Sequence, residues 1–180
     1  TDEEAWQALP KAEEGAGQPL PVWARAVAVH MPRTAAAMLV LDHLHRTHNA
    51  ISQILRAKMR WVIANANRCD YAKQYALADL RRSGATKSEI EALIEGPDSW
   101  TESDRQALEF AYQLTTAAPH IPDELFESLR HAYGDCQVAA MVNLAAYGNF
   151  QDRIILGLNL PMEETGLLSP VKVQFPESVF

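Results

Sequence analysis

Between Ile51 and Ala66 the apolar residues Ile51, Ile54, Leu55, Met59, Val62, Ile63 and Ala66 recur at steps of three and four, with Gln53, Arg56 and Arg60 on another face. This is the period of an α-helix with one broad apolar stripe. Upstream, an apolar segment runs from Pro21 through Val29, and Pro32 opens a second predicted helix from Arg33 to about Arg46. Downstream, Asn67 is suited to cap a helix running from Cys69 to about Arg82, which Ser83-Gly84 stops. Thr86 with Glu89, and Thr101 with Asp104, match capping boxes ahead of two further helices, with Gly96-Pro97 breaking the chain between them. A short helix follows Pro122. From Asp135 to about Leu158 the pattern is apolar nearly all round, which predicts a buried central helix, and Gly148 within it predicts a close helix contact. No strand pair with a hairpin turn is present, so the expected class is all-α, a helical bundle in a single domain.

The 180 residues suffice for one substantial core. The expected organisation is an N-terminal approach segment over 1–20, a helical domain over 21–161 and an extended tail over 162–180, with Trp6 and Leu9 anchoring the first of these. The tail, with Pro170 and Pro176 around Val171, Val173 and Phe175, is expected to drape on the surface. A formal charge of -7 offers no broad basic face, so neither nucleic acid nor a membrane surface is an expected partner. Apolar runs are too short to span a bilayer. Two cysteines far apart do not make a disulfide framework, so a reducing, cytoplasmic setting is the expectation; the chain starts at Thr1 rather than Met, which leaves export open.

Cys69 is the candidate catalytic residue. A thiol in the first turn of a helix meets the positive end of the helix dipole, and Arg68 and Lys73 add positive charge, so a depressed thiol pKa is expected. Cys136 also opens a helix, but Asp135 beside it opposes a thiolate. Asp42, His45 and Asn49 fall on one helical stripe beside His43 and His48, an incomplete ligand set for which no bound metal is expected. Asn143, Asn149, Asp152 and Arg153 are polar groups on an apolar helix, read as structural hydrogen-bonding groups. Gly-rich phosphate loops, Gly-x-Ser-x-Gly and His-Glu-x-x-His are absent from the sequence.

The stretch Leu55 to Ala72, a helix turning at Ala66-Asn67-Arg68 into a helix opened by Cys69, resembles the AhpD-like (alkylhydroperoxidase D-like) and carboxymuconolactone decarboxylase superfamily. Trp100-Thr101-Glu102, Leu129-Arg130 before Gly134-Asp135, and Ala145 to Phe150 leading to Leu158-Asn159-Leu160-Pro161 extend the likeness over about 21–161. Family peroxidases carry a Glu, a Cys-x-x-Cys pair and a His at positions that fall here on Ala57, Cys69, Ala72 and Ala76; only the first cysteine is retained. The resemblance implies an AhpD-like helical bundle and a peroxidase-related oxidoreductase. In it Cys69 attacks a peroxide, an external thiol resolves the sulfenic acid, Arg60 and Tyr71 shape the pocket, and no cofactor takes part. It also implies a homo-oligomer. The alternative is a catalytically degenerate member acting as an oligomerising, ligand-binding or interaction module, which the alanines at 57, 72 and 76 favour.

Overall fold

Caps and breakers written into the sequence end most of the helices in a computed structural model of the protein, which describes residues 1–164 and 166–180. The chain forms two compact units, residues 1–48 with 158–180, and residues 49–157.

The first unit holds α1 (Asp2–Ala8), α2 (Val22–Ala28) and α3 (Pro32–Thr47). Thr1 and Glu4 form a capping box on α1, whose Ala5 is buried, and the Trp6 indole donates to the Gln18 carbonyl at 2.8 Å. Pro21 leads into α2 and cannot cap it through its side chain. The carboxylate of Glu163, from the tail, accepts from the Val22 amide at 2.8 Å instead, and so occupies the positive end of α2. The tail does not simply drape over the surface. Val171, Val173 and Phe175 are buried, and Glu14 and Gln174 pair as an isolated antiparallel bridge.

The second unit contains α4 (Gln53–Ala66), α5 (Asp70–Arg82), α6 (Lys87–Glu95), α7 (Glu102–Thr116) and α8 (Asp123–Gly157). The central helix is α4, against which α5, α7 and α8 all pack. Every residue from Leu55 to Ala64 is buried, including Arg56, Lys58 and Arg60. A cation is tolerated in such a place only with a partner. Each has one: Arg56 donates to Asp79 of α5 at 2.7 Å, Lys58 to Asp104 of α7 at 2.6 Å, and Arg60 to Asp152 of α8. The expected capping box of Thr101 with Asp104 does not form: Asp104 accepts from the Thr101 hydroxyl at 3.0 Å and is spent on Lys58 instead of on the backbone of α7.

Helix α8 is broken at Gly134, whose φ of 77° only glycine adopts without strain, so the predicted short helix and long helix meet there. Its long arm is not the fully buried helix that its composition predicts. Ala139, Val142, Ala146 and Phe150, at steps of three and four, are exposed along one face. The opposite face packs on α4 at Gly148, where a Cβ would stand 3.3 Å from Ile63 Cγ2 and 3.5 Å from the Arg60 side chain. The missing side chain lets the two helices approach closely.

The turn between α4 and α5 is a Schellman motif. Cys69 N–H donates to the Ala64 carbonyl at 2.8 Å and Arg68 N–H to the Asn65 carbonyl at 3.0 Å, with Arg68 at φ 57° in the left-handed position usually given to glycine. Arg68→Gly should therefore raise stability by about 1 kcal/mol, read as a higher urea midpoint at unchanged slope. An unchanged or lower midpoint would mean that the arginine side chain offsets its backbone strain. Asn67 closes α4 rather than capping α5, because the chain has not yet turned when it is reached. Cys69 takes the N-cap position.

Candidate functional site

As the residue that opens α5, Cys69 is carried by the Schellman turn inward, with its side chain fully buried at 0% exposure. What it meets there comes from two other helices. Asp152, one helical turn beyond Gly148 on α8, lies within hydrogen-bonding reach of the thiol. Arg60 on α4 donates to both oxygens of the same carboxylate, through Nη1 to Oδ2 at 3.2 Å and through Nη2 to Oδ1, and also reaches Gln151 Oε1 at 3.2 Å. Asn67 Nδ2 adds a further bond to Asp152 Oδ2 at 2.9 Å and one to Asn149 Oδ1 at 2.8 Å, while its Oδ1 accepts from Arg153 at 3.1 Å. The result is a thiol, a carboxylate and a guanidinium held together in the interior, with the Asn67 amide bracing the carboxylate and Gln151 the guanidinium.

The charges explain the protonation. Burial alone would drive the Arg60 guanidinium toward neutrality, but the Asp152 carboxylate outweighs it, so Arg60 titrates above its ordinary value. Arg60 and Asp152 neutralise one another, and a Cys69 thiolate would leave this buried group with a net negative charge. The thiol is accordingly pushed up to about 11, first by burial and then by the Asp152 charge. The Ala72 backbone amide and Arg60 pull the other way and lose. This reverses the sequence expectation of a depressed thiol pKa. The helix end is there, but Arg68 is exposed on the far side of the turn, Lys73 is paired with Asp70 at 2.7 Å, and a fully buried carboxylate faces the sulfur.

Of the residues singled out in the sequence, Arg60 joins Cys69. Tyr71, buried in the first turn of α5, stacks on Tyr75 with ring centroids 5.0 Å apart. Ala57, Ala72 and Ala76 are all buried. Cys136 is exposed on α8, where Asp135 is engaged by Arg130 at 2.7 Å. In the first unit, Asp42 pairs with Arg46 at 3.3 Å, and Thr47, whose hydroxyl donates to the His43 carbonyl, hydrogen-bonds His48 Nδ1 at 2.6 Å. Burial, reinforced by His48, holds the His43 imidazole below its ordinary value. Among the described residues no group of three or more His, Cys, Asp or Glu side chains is placed to hold a metal ion. Asp152 and Asn149, read from the sequence as structural hydrogen-bonding groups, and Asn67, read as a cap, stand around the thiol together with Gln151, which the sequence reading did not name; what that reading missed is the place of Asp152 beside Cys69. Its signal was an acid on an otherwise apolar helix, which has to be paired if buried; the sequence does not say with what.

The architecture is all-α, a helical bundle of AhpD-like fold. No protein-family model and no curated protein matches the chain. Solved structures do. The debrominase Bmp8 in its apo form superimposes with a TM-score of 0.69 at 22% identity, over 91% of this chain and 86% of that one. An uncharacterized peroxidase-related protein from Silicibacter sp. TM1040 gives 0.70 at 19% identity, over 81% and 78%. A cysteine-to-alanine variant of the same debrominase, in complex with 2,3,4-tribromopyrrole, gives 0.69 at 20% identity, over 87% and 91%. At such identities the likeness is one of fold.

Proposed function

We propose that this chain is a thiol-dependent, peroxidase-related oxidoreductase whose nucleophile is Cys69. The observation that carries the reading is the buried set of Cys69, Asp152 and Arg60, in which the only thiol of the α4–α5 turn faces an ion pair with no evident need for a sulfur. In the proposed cycle the Cys69 thiolate attacks one oxygen of a peroxide and the O–O bond breaks. The sulfur becomes a sulfenic acid, and the proton given up by the thiol ends on the departing oxygen as water or alcohol. An external thiol then forms a mixed disulfide with loss of water, and a second external thiol releases Cys69. Ala72 supplies no resolving thiol, so both reducing equivalents come from outside. The complete burial of the sulfur favours hydrogen peroxide over bulky hydroperoxides.

With a thiol pKa of about 11, the thiolate fraction at pH 7 is on the order of one in ten thousand, and attack is slow. In a Cys136→Ser background, sulfenic acid formation at Cys69, trapped with dimedone and read by mass, should rise about tenfold per pH unit between roughly pH 6 and 9. The sign follows from the raised pKa: deprotonation creates the nucleophile, so the rate climbs with pH and levels off above about 11. Cys69→Ser should abolish the signal. Persistence of peroxide consumption in Cys69→Ser would remove this residue from the chemistry.

A second substrate is favoured by one comparison, the neighbour that binds 2,3,4-tribromopyrrole and is a debrominase. The same soft nucleophile would take bromine from a bromopyrrole, the ring carbon gaining the proton; an external thiol would displace bromide from sulfur to form a mixed disulfide, and a second external thiol would release Cys69. Bromide release from a brominated pyrrole, dependent on Cys69 and exceeding peroxide turnover, would prefer this substrate.

Self-association belongs to the same proposal. What supports it is the exposed apolar face of α8 at Val142, Ala146 and Phe150, since such stripes on a long helix commonly mark contacts between chains. Phe150→Glu should lower the mass found by light scattering at micromolar concentration; a parent chain that is already monomeric there would count against association.

A further inference from the structure

On a different face of α4 from Arg60, a cavity of about 410 Å³ opens between α4 and α7 beneath the corner where α6 ends. Its size lies within the range of small-molecule sites, roughly 300–1,000 Å³. Trp61, Trp100 and Tyr112 line it, together with the carboxylates of Glu95 and Glu109. The two indoles are buried, while Tyr112 is half exposed. None of the described residues that line the cavity is Lys, Arg or His. Glu95 accepts from the Ser99 hydroxyl at 2.8 Å and Glu109 from the Gln113 amide at 2.6 Å. Both donors are neutral, and among the described residues neither carboxylate has a cationic partner.

We infer that this cavity binds a small organic cation, an ammonium group carrying an apolar or aromatic body. Three aromatic rings offer the negative π faces that attract such a cation, and two carboxylates supply a charge that nothing in the lining neutralises. Elsewhere in this unit, acids that face the interior are matched by cations, as Asp79, Asp104 and Asp152 are matched by Arg56, Lys58 and Arg60. Half-buried Glu109 departs from that pattern at the place where the surface is hollow, and Glu95 adds an exposed carboxylate at the rim. An anionic ligand would meet two negative charges, and a neutral one would leave them without a counter-charge. The inference shares no residue with the Cys69 cluster and does not depend on the reading given to it.

The test is a titration at fixed ionic strength with benzyltrimethylammonium, followed by tryptophan fluorescence, against its neutral isostere neopentylbenzene. Saturable binding of the ammonium is expected, with the isostere weaker by about tenfold, which is the worth of one modest cation–π contact. Glu95→Gln and Glu109→Gln, which lie outside the packed core, should each weaken the ammonium several-fold, and both together by more than tenfold, at unchanged melting temperature. Tyr112→Ser, at the exposed rim, is a second handle should either glutamine variant fold poorly, and should also weaken binding. Equal binding of the isostere, indifference to these substitutions, or no saturation at millimolar ammonium would each overturn the inference.

Discussion

Asp152→Asn is expected to lower the pKa of the Cys69 thiol and to raise its thiolate fraction at pH 7 by roughly tenfold. Burial is the larger cause of the raised value and survives the substitution; the Asp152 charge and its hydrogen bond, which also raise it, do not. Arg60, no longer neutralised, is freed to stabilise the thiolate, which it already favours but too weakly to win. Asparagine keeps a carbonyl oxygen for the guanidinium and so preserves much of the packing. The measurement is thiolate ultraviolet absorbance against pH in a Cys136→Ser background, which needs no reagent to enter the buried site. An unchanged or higher pKa would show that Asp152 does not govern the thiol, and with it the electrostatic account of the site would fail. If the pKa falls, peroxide attack at neutral pH should quicken in proportion, provided the substrate reaches the sulfur.

The second large effect concerns stability. Arg60→Met removes one partner of a buried ion pair and leaves the Asp152 carboxylate, 0% exposed, with the Asn67 amide and a thiol for company. Breaking such a pair from one side costs about 3–5 kcal/mol, because the remaining charge is uncompensated. Replacing both, as Arg60→Met with Asp152→Leu, should recover most of the loss, since a buried pair and a well-packed apolar pair are often close in energy. Urea unfolding of the two single variants and the double variant closes the cycle. Additive losses would mean that the residues do not act as a pair. Recovery of stability without recovery of the high thiol pKa would separate the pair's structural role from its hold on Cys69.

The helices and their ends were legible because their causes are local. The stripe from Ile51 to Ala66 states a period, Thr86 with Glu89 states a cap, and Gly96-Pro97 states a break, each within a few residues of where it acts. Cys69 was legible as a helix-opening cysteine for the same reason. Its chemistry was not. A thiol pKa is decided by whatever lies within a few ångströms, and here that is a carboxylate 83 positions along the chain, brought in by the close approach that Gly148 permits. The composition of α8 misled for a related reason. Apolar residues all round a helix indicate that it is covered, but not by what, and Phe150 is left uncovered in the single chain.

By itself the sequence determined that the chain is helical, where most helices begin and end, and that one cysteine stands at the turn between two of them, since these follow from interactions between neighbours in the chain. Only the tertiary structure decided that α4 rather than α8 is central, that its three cations are buried against acids of α5, α7 and α8, and that Glu163 caps α2. It also decided that Cys69 rests as a neutral thiol. These outcomes depend on which distant charges share a low-dielectric interior, where an ion pair of either origin looks alike in sequence, and a lone Asp on an apolar helix names no partner.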